Sequence, residues 1–246
     1  MIVTKGLIKY YGKRQVLKGI DIEAREGEIV GLLGPNGAGK TTTFRIVIGE
    51  IDGDGGEVFF YGKNVSKLPM WKRVRMGMGY LPQEPSSFRG LSIEENILAY
   101  LQFTSLTRRE QEERVKEVLE EMGLYHIRQR KAYLLSGGER RRLEIARALS
   151  LKPRFLFLDE PFTGIDPIAV KEMRELVSGL KRKGVGIIIT DHNVRETLKI
   201  TDRAYIISNG KILKEGDPET LSQDPEVRRV YLGEKFRLEN ETKTGS

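Results

Sequence analysis

The chain has 246 residues, 39% of them hydrophobic, with 42 Lys and Arg against 35 Asp and Glu for a formal net charge of +7. At about 150 residues per domain, this length allows one large domain or two small ones. The lack of cysteine excludes disulfides and thiolate chemistry and allows a reducing compartment. No apolar run approaches the roughly 20 residues of a membrane-spanning helix, so the chain is expected to be soluble and to meet a membrane only through a partner. Residues 1–17 carry no signal-type apolar segment. The basic excess would suit phosphates, nucleic acid or an anionic surface, but acids and bases are interleaved, as in Arg108–Lys116. That pattern reads as a solvated surface rather than a nucleic-acid-binding arm.

In chain order, Ile2–Tyr10 and the alternating Ile20, Ile22 and Ala24 predict short strands joined by a turn at Gly12–Lys13. Ile29–Leu33 is a short, strand-like apolar run leading into a glycine-rich loop, and Thr42–Ile48 then reads as a helix. A turn-rich stretch at Asp52–Gly56 precedes a strand at Glu57–Tyr61. From about residue 88 to 152 the pattern turns helical. Ser92 and Glu95 form a capping box, and Val115, Val118, Leu119 and Met122 share one helical face. Strand signals return at Phe155–Leu158, Gly186–Thr190 and Ala204–Ser208, with a helix over Ile168–Lys181. This predicts an α/β core interrupted by a mostly helical insertion. A charged C-terminal segment follows from about Glu215, and Asn240–Ser246 is expected to be disordered. Trp71 and the Lys72–Arg75 run read either as a partner surface or as a solvated helix, and His126 as a surface residue.

The loop GPNGAGKT comprises Gly34, Pro35, Asn36, Gly37, Ala38, Gly39, Lys40 and Thr41, with Thr42 next. It matches G-x-x-x-x-G-K-[ST] between a strand and a helix, the context that phosphate binding requires. Its glycines let successive N–H groups converge on a phosphate, Lys40 adds a point charge, and the helix that follows turns its positive end to the anion. The Thr41 hydroxyl suits Mg2+.

A buried strand, Phe155–Leu158, ends in Asp159 and Glu160. Neighbouring side chains on a strand point to opposite faces, so the two acids are expected to divide their labour. Asp159 would hold the Mg2+ shell as a Walker-B aspartate does, and Glu160 would act as general base on the attacking water.

Leu135-Ser136-Gly137-Gly138-Glu139 opens a further helix, where free N–H groups and a hydroxyl can meet a second anion. One triphosphate needs only one such cradle. Two on one chain suggest that ATP is sandwiched between copies of the chain, the loop of one facing the second cradle of the other.

With these motifs in order, the sequence resembles the ABC-type ATPases along nearly its whole length, and LSGGE is that family's signature. The resemblance implies a P-loop NTPase (RecA-like) core with an antiparallel β subdomain and an inserted helical subdomain. These would occupy about 1–87 with 153–215, and about 88–152, ahead of a C-terminal helical segment at about 216–239. It places Tyr11 against the adenine, Gln83 in the Q-loop at the metal and water, Gly164–Asp166 in the D-loop across a dimer seam, and His192 as the switch histidine at the γ-phosphate. It implies ATP and Mg2+ as ligands and a homodimer beneath integral membrane transporter subunits, on the cytoplasmic face of the inner membrane.

Within that family, Gly79–Glu84, Ser136–Arg147, Asp191–Thr197 and Val230–Leu238 resemble the ATPase of the lipopolysaccharide export system. By that resemblance Phe88 and Arg89 are contacts for a membrane subunit. The chain departs from the pattern by continuing past Leu238 with Glu239–Ser246. The alternative within transporters is the ATPase of a branched-chain amino-acid importer, which also carries Tyr-Leu-Gly near its end. Soluble ABC proteins of translation or DNA maintenance would need a second cassette or long coiled coils, neither of which this chain has.

Overall fold

A computed structural model of the chain describes residues 1–234 and 236–238. The expected disordered tail, 240–246, lies outside the described residues, as do Lys235 and Glu239. Two sheets organise the fold. The first is antiparallel: β1 (Ile2–Tyr11) pairs with β2 (Arg14–Ile20), β3 (Glu23–Ala24) and β5 (Gly55–Phe60), and β6 (Lys63–Asn64) extends the edge. The second has the order β11-β10-β4-β9-β8-β7. In it β10 (Arg203–Ser208), β4 (Ile29–Leu33), β9 (Gly186–Thr190), β8 (Phe155–Asp159) and β7 (Met78–Leu81) run parallel, and β11 (Lys211–Gly216) closes the edge antiparallel.

The central strands β4, β8 and β9 are buried along their whole length, as expected of parallel strands covered on both faces. Helix α1 (Lys40–Ile48) packs between the two sheets. Its Phe44 meets Phe157 of β8 edge to face at 5.5 Å between centroids. On the other side of the parallel sheet, α3 (Ile93–Leu101), α4 (Arg108–Glu121) and α5 (Gly137–Ser150) enter the chain between β7 and β8. Their buried faces share one core with α6 (Pro167–Arg182), including the predicted Val115, Val118, Leu119 and Met122. α3, α4 and α5 each begin with a capping box, at Ser92, Thr107 and Ser136, and the box predicted at Ser92 and Glu95 is among them.

Helix α2 (Met70–Arg75) divides the basic run that the sequence left open. Trp71 is exposed, with Lys72 and Arg75 over its ring at 5.3 Å each. Arg73 instead is buried and donates to the carbonyls of Ile46 and Val47, at 2.8 and 2.7 Å, at the C-terminal end of α1. It satisfies acceptors that the helix end leaves open, and burial lowers its guanidinium to about 10. His126 is exposed, as expected. At the C-terminus, α7 (Val194–Leu198), α8 (Pro218–Gln223) and α9 (Pro225–Val227) lead into a π-turn at Arg228–Leu232. This segment packs on Leu33 and Ile206 of the parallel sheet.

Candidate active site

The loop between β4 and α1 is held where only glycine fits at two points. At Gly34 (φ +147°) a Cβ would stand 2.0 Å from the Ile207 carbonyl oxygen of β10. At Gly39 (φ +116°) it would stand 2.5 Å from Leu17 Cδ2 of β2. The loop is therefore wedged between the two sheets, with the free amides of the first turn of α1 turned outward. Lys40 is buried and its Nζ donates to the carbonyls of Gly34 and Pro35, at 2.7 and 3.1 Å. Burial lowers its pKa, against the raising effect of Glu160, Asp159 and Asp191.

Residues 36–42, Val16, Gln83, Glu160 and His192 line a cleft of about 250 Å3. Asp159 is buried behind them. Its Oδ1 accepts from Thr41 Oγ1 at 3.5 Å and its Oδ2 from the Tyr80 hydroxyl at 3.4 Å. Burial, with the neighbouring Glu160 charge, pushes the Asp159 carboxyl up to about 6. Glu160 lies one residue beyond β8 with φ +51°, a left-handed turn, and lines the cleft in front of Asp159. Its amide is fixed to the Thr190 carbonyl at 2.7 Å, and its Oε1 stands 2.7 Å from His192 Nε2. His192 is held at the cleft by Asp191, which accepts from the amides of Phe162 and Asn193 at 2.8 and 2.7 Å. Burial raises the Asp191 carboxyl.

The Thr41 hydroxyl and the buried Asp159 carboxylate, 3.5 Å apart, are hard oxygen donors of the kind that suits Mg2+, and Gln83 lines the same cleft as Thr41. Among the described residues no group of three or more His, Cys, Asp or Glu is arranged to hold a metal ion.

Other expected residues lie elsewhere. Tyr11 is 47% exposed at the end of β1, with the Lys9 ammonium 5.8 Å from its ring centre, and it does not line the cleft. Val16 of β2 does. Ser136, Gly137, Gly138 and Glu139 are also outside the cleft. The Ser136 hydroxyl accepts from the Glu139 amide at 3.2 Å, and the Glu139 carboxylate accepts from the Ser136 amide at 2.8 Å, so this cradle is capped from within. It adjoins the other predicted seam element of the same chain, for a Cβ on Gly137 would lie 3.4 Å from the Gly164 carbonyl. Phe88 is 47% exposed. Its backbone is clasped by Asn96, and its ring centre lies 4.9 Å from the Arg147 guanidinium. Arg89 beside it is exposed.

Sequence reasoning missed Tyr80, Asp191 and Arg141. All three stand inside segments quoted for their resemblance, Gly79–Glu84, Asp191–Thr197 and Ser136–Arg147. Nothing in the local pattern marks Arg141 out, yet it is buried. It donates to the Pro82 carbonyl and to the Asp159 carbonyl, both at 2.9 Å, and pairs with Glu144. A larger groove of about 1180 Å3, between α6, α8 and the C-terminal segment, contains none of the motif residues.

Residues 17–163 match the ABC_tran family, described as ABC transporter. The chain belongs to the ABC transporter family. The span of that match runs from β2, through the phosphate loop and the signature helix, to just beyond Glu160, and His192 lies past its end. It is 54% identical to a probable ABC transporter ATP-binding protein of Azorhizobium caulinodans, over 95% of this chain and 83% of that protein. It is 49% identical to the lipopolysaccharide export system ATP-binding protein LptB of Escherichia coli K12, over 96% of this chain and 99% of that one. Among solved structures it is similar to the ADP conformation of MJ1267, an ATP-binding cassette of an ABC transporter, with a TM-score of 0.86. That likeness has 29% identity and covers 95% of this chain and 99% of that one. The cassette is an ATP-hydrolysing enzyme with the family's P-loop fold.

Proposed function

We propose that this ABC ATPase drives lipopolysaccharide export, working as a homodimer that clasps two Mg-ATP beneath integral membrane subunits on the cytoplasmic face of the inner membrane. The observation that carries the catalytic part is the meeting, in one cleft, of Glu160 and His192 at 2.7 Å with the Lys40 and Thr41 end of the phosphate loop. The transport assignment is supported by 48–50% identity to LptB proteins of three bacteria, each matched over 96–97% of this chain and 99% of its own length. Among the described residues no helix is long and apolar enough to cross a membrane, which is consistent with a role through membrane partners.

In this reading Lys40 leaves its own loop carbonyls for the β- and γ-phosphates, and the amides of residues 37–41 receive the phosphate oxygens. Thr41, Asp159 and Gln83 would hold the Mg2+, which neutralises phosphate charge when bound. Glu160 accepts the proton of the attacking water, and His192 orients the Glu160 carboxylate and meets the γ-phosphate. Phosphoryl transfer asks mainly for positioning and charge stabilisation, and the Glu160 backbone is already fixed by its amide bond to the Thr190 carbonyl. Because Ser136–Glu139 lies outside its own chain's cleft, the cradle at the head of α5 is free to face the nucleotide of a second copy. Phe88 and Arg89 present an aromatic and a cation to a membrane subunit.

The test is purification from native membranes in mild detergent, followed by identification of the associated membrane proteins. Recovery of subunits that bind lipopolysaccharide is expected; recovery of an amino-acid importer's permease would overturn the assignment.

A further inference from the structure

Tyr231 is the residue of the C-terminal segment whose chemistry the mechanism leaves unused. Its ring packs against the cluster that contains Leu33 and Ile206, the residues just before Gly34 and Ile207. Its hydroxyl oxygen is buried and, among the described residues, makes no hydrogen bond. The backbone amide of Gly34 faces it, short of good hydrogen-bond geometry, and the Asp191 carboxylate lies near enough to act on its charge. Burial pushes the phenol up to about 12, so it stays protonated at neutral pH.

Two restraints fix Gly34 in the nucleotide-free chain. Ile207 blocks it on one side, and its carbonyl is tied to the Lys40 ammonium at 2.7 Å. A triphosphate competes for that ammonium and so removes the second restraint. A buried hydroxyl without a partner is costly, and it gains by any shift of Gly34 that completes the bond.

We infer that Tyr231 is a positioning residue for the phosphate loop: its hydroxyl is left unsatisfied in the nucleotide-free state and closes on the Gly34 amide when Lys40 is drawn to the phosphates of ATP. The C-terminal segment thereby favours the nucleotide-bound form of the loop. This rests on the ATPase reading above and goes beyond it, since Tyr231 touches neither nucleotide nor metal.

The test compares Tyr231→Phe with the unmodified full-length protein, and uses Leu232→Ala, which trims a neighbouring apolar contact of the same segment, as the control for packing. Thermal unfolding of the nucleotide-free proteins and ATP binding by titration are measured, together with kcat and KM for ATP. The unmodified protein must bind ATP; if it does not, the ATPase reading fails before this one is reached. For Tyr231→Phe, the expected result is an unfolding temperature equal to or above that of the unmodified protein. Its Kd and KM for ATP should be raised about three- to tenfold, with kcat nearly unchanged, as loss of one such hydrogen bond from ground and transition states alike predicts. Leu232→Ala should lower the unfolding temperature without that rise in Kd. Unchanged ATP affinity in Tyr231→Phe, or an equal rise in Kd in both variants, would overturn the inference.

Discussion

Arg141 Nη2 donates to the backbone carbonyl of Asp159 at 2.9 Å, which ties the signature helix to the end of β8, next to Glu160. The same guanidinium reaches the Pro82 carbonyl, one residue before Gln83. A single buried cation thus links α5, the segment before Gln83 and the end of β8.

Arg141→Ala should therefore damage more than stability. It leaves the buried Glu144 carboxylate without its cation, a loss of about 3 kcal/mol or more. ATP binding to the folded fraction should persist while turnover drops. Denaturant unfolding and steady-state hydrolysis, read on the same preparation, separate the two effects; full turnover would show that the link is structural only.

Glu160→Gln should bind ATP as tightly as the unmodified protein and hydrolyse it at least about 100-fold more slowly, the usual weight of a general base. Gln is close in shape and keeps a carbonyl oxygen facing His192, so unfolding should change little. Sedimentation in ATP should reveal an accumulating dimer. Unaltered turnover would remove Glu160 from the role of base.

Ser136→Arg should abolish hydrolysis while the monomer still binds ATP, because the residue lies outside its own chain's cleft. Loss of the cap that Ser136 forms with Glu139 costs only about 1 kcal/mol, so the variant should fold. If monomer binding vanished instead, the second cradle would serve its own chain's nucleotide.

Two glycines of the phosphate loop should respond differently to alanine. At Gly34 the new methyl would meet the Ile207 carbonyl at 2.0 Å, and the folded protein should be lost or its loop displaced. At Gly37 the nearest atom is Arg14 Nη2 at 4.0 Å, so the cost is chiefly that of φ +73°, about 1 kcal/mol. Thermal unfolding with and without ATP distinguishes them, and equal losses would contradict the packing described here.

Phe88→Ala should weaken association with the membrane subunits while basal hydrolysis by the isolated protein stays intact. The ring is 47% exposed and its main partner is the Arg147 guanidinium, so little core is removed. Undiminished co-purification with those subunits would exclude Phe88 as an anchor.

What the chain order alone determined was local chemistry. Gly34–Thr41, Asp159–Glu160 and Ser136–Glu139 each bring their functional groups together within a few residues, where spacing, strand alternation and capping rules apply directly. The strands and helices around them were legible for the same reason, down to the capping box at Ser92 and the buried face of α4.

Tertiary structure decided the rest, because burial and long-range hydrogen bonding leave no periodic trace in sequence. Nothing local in the sequence marks Arg73 or Arg141 for burial, yet both are buried against backbone carbonyls that lie far away along the chain. Tyr11, expected against the adenine, stands exposed at a hairpin end, while Val16, which no motif pointed to, lines the phosphate-loop cleft. The left-handed backbone of Glu160 just beyond β8 also carries no mark in the sequence. Tyr231 meets Gly34 across nearly the whole chain, a contact that arises only when the C-terminal segment folds back onto the first strand of the parallel sheet.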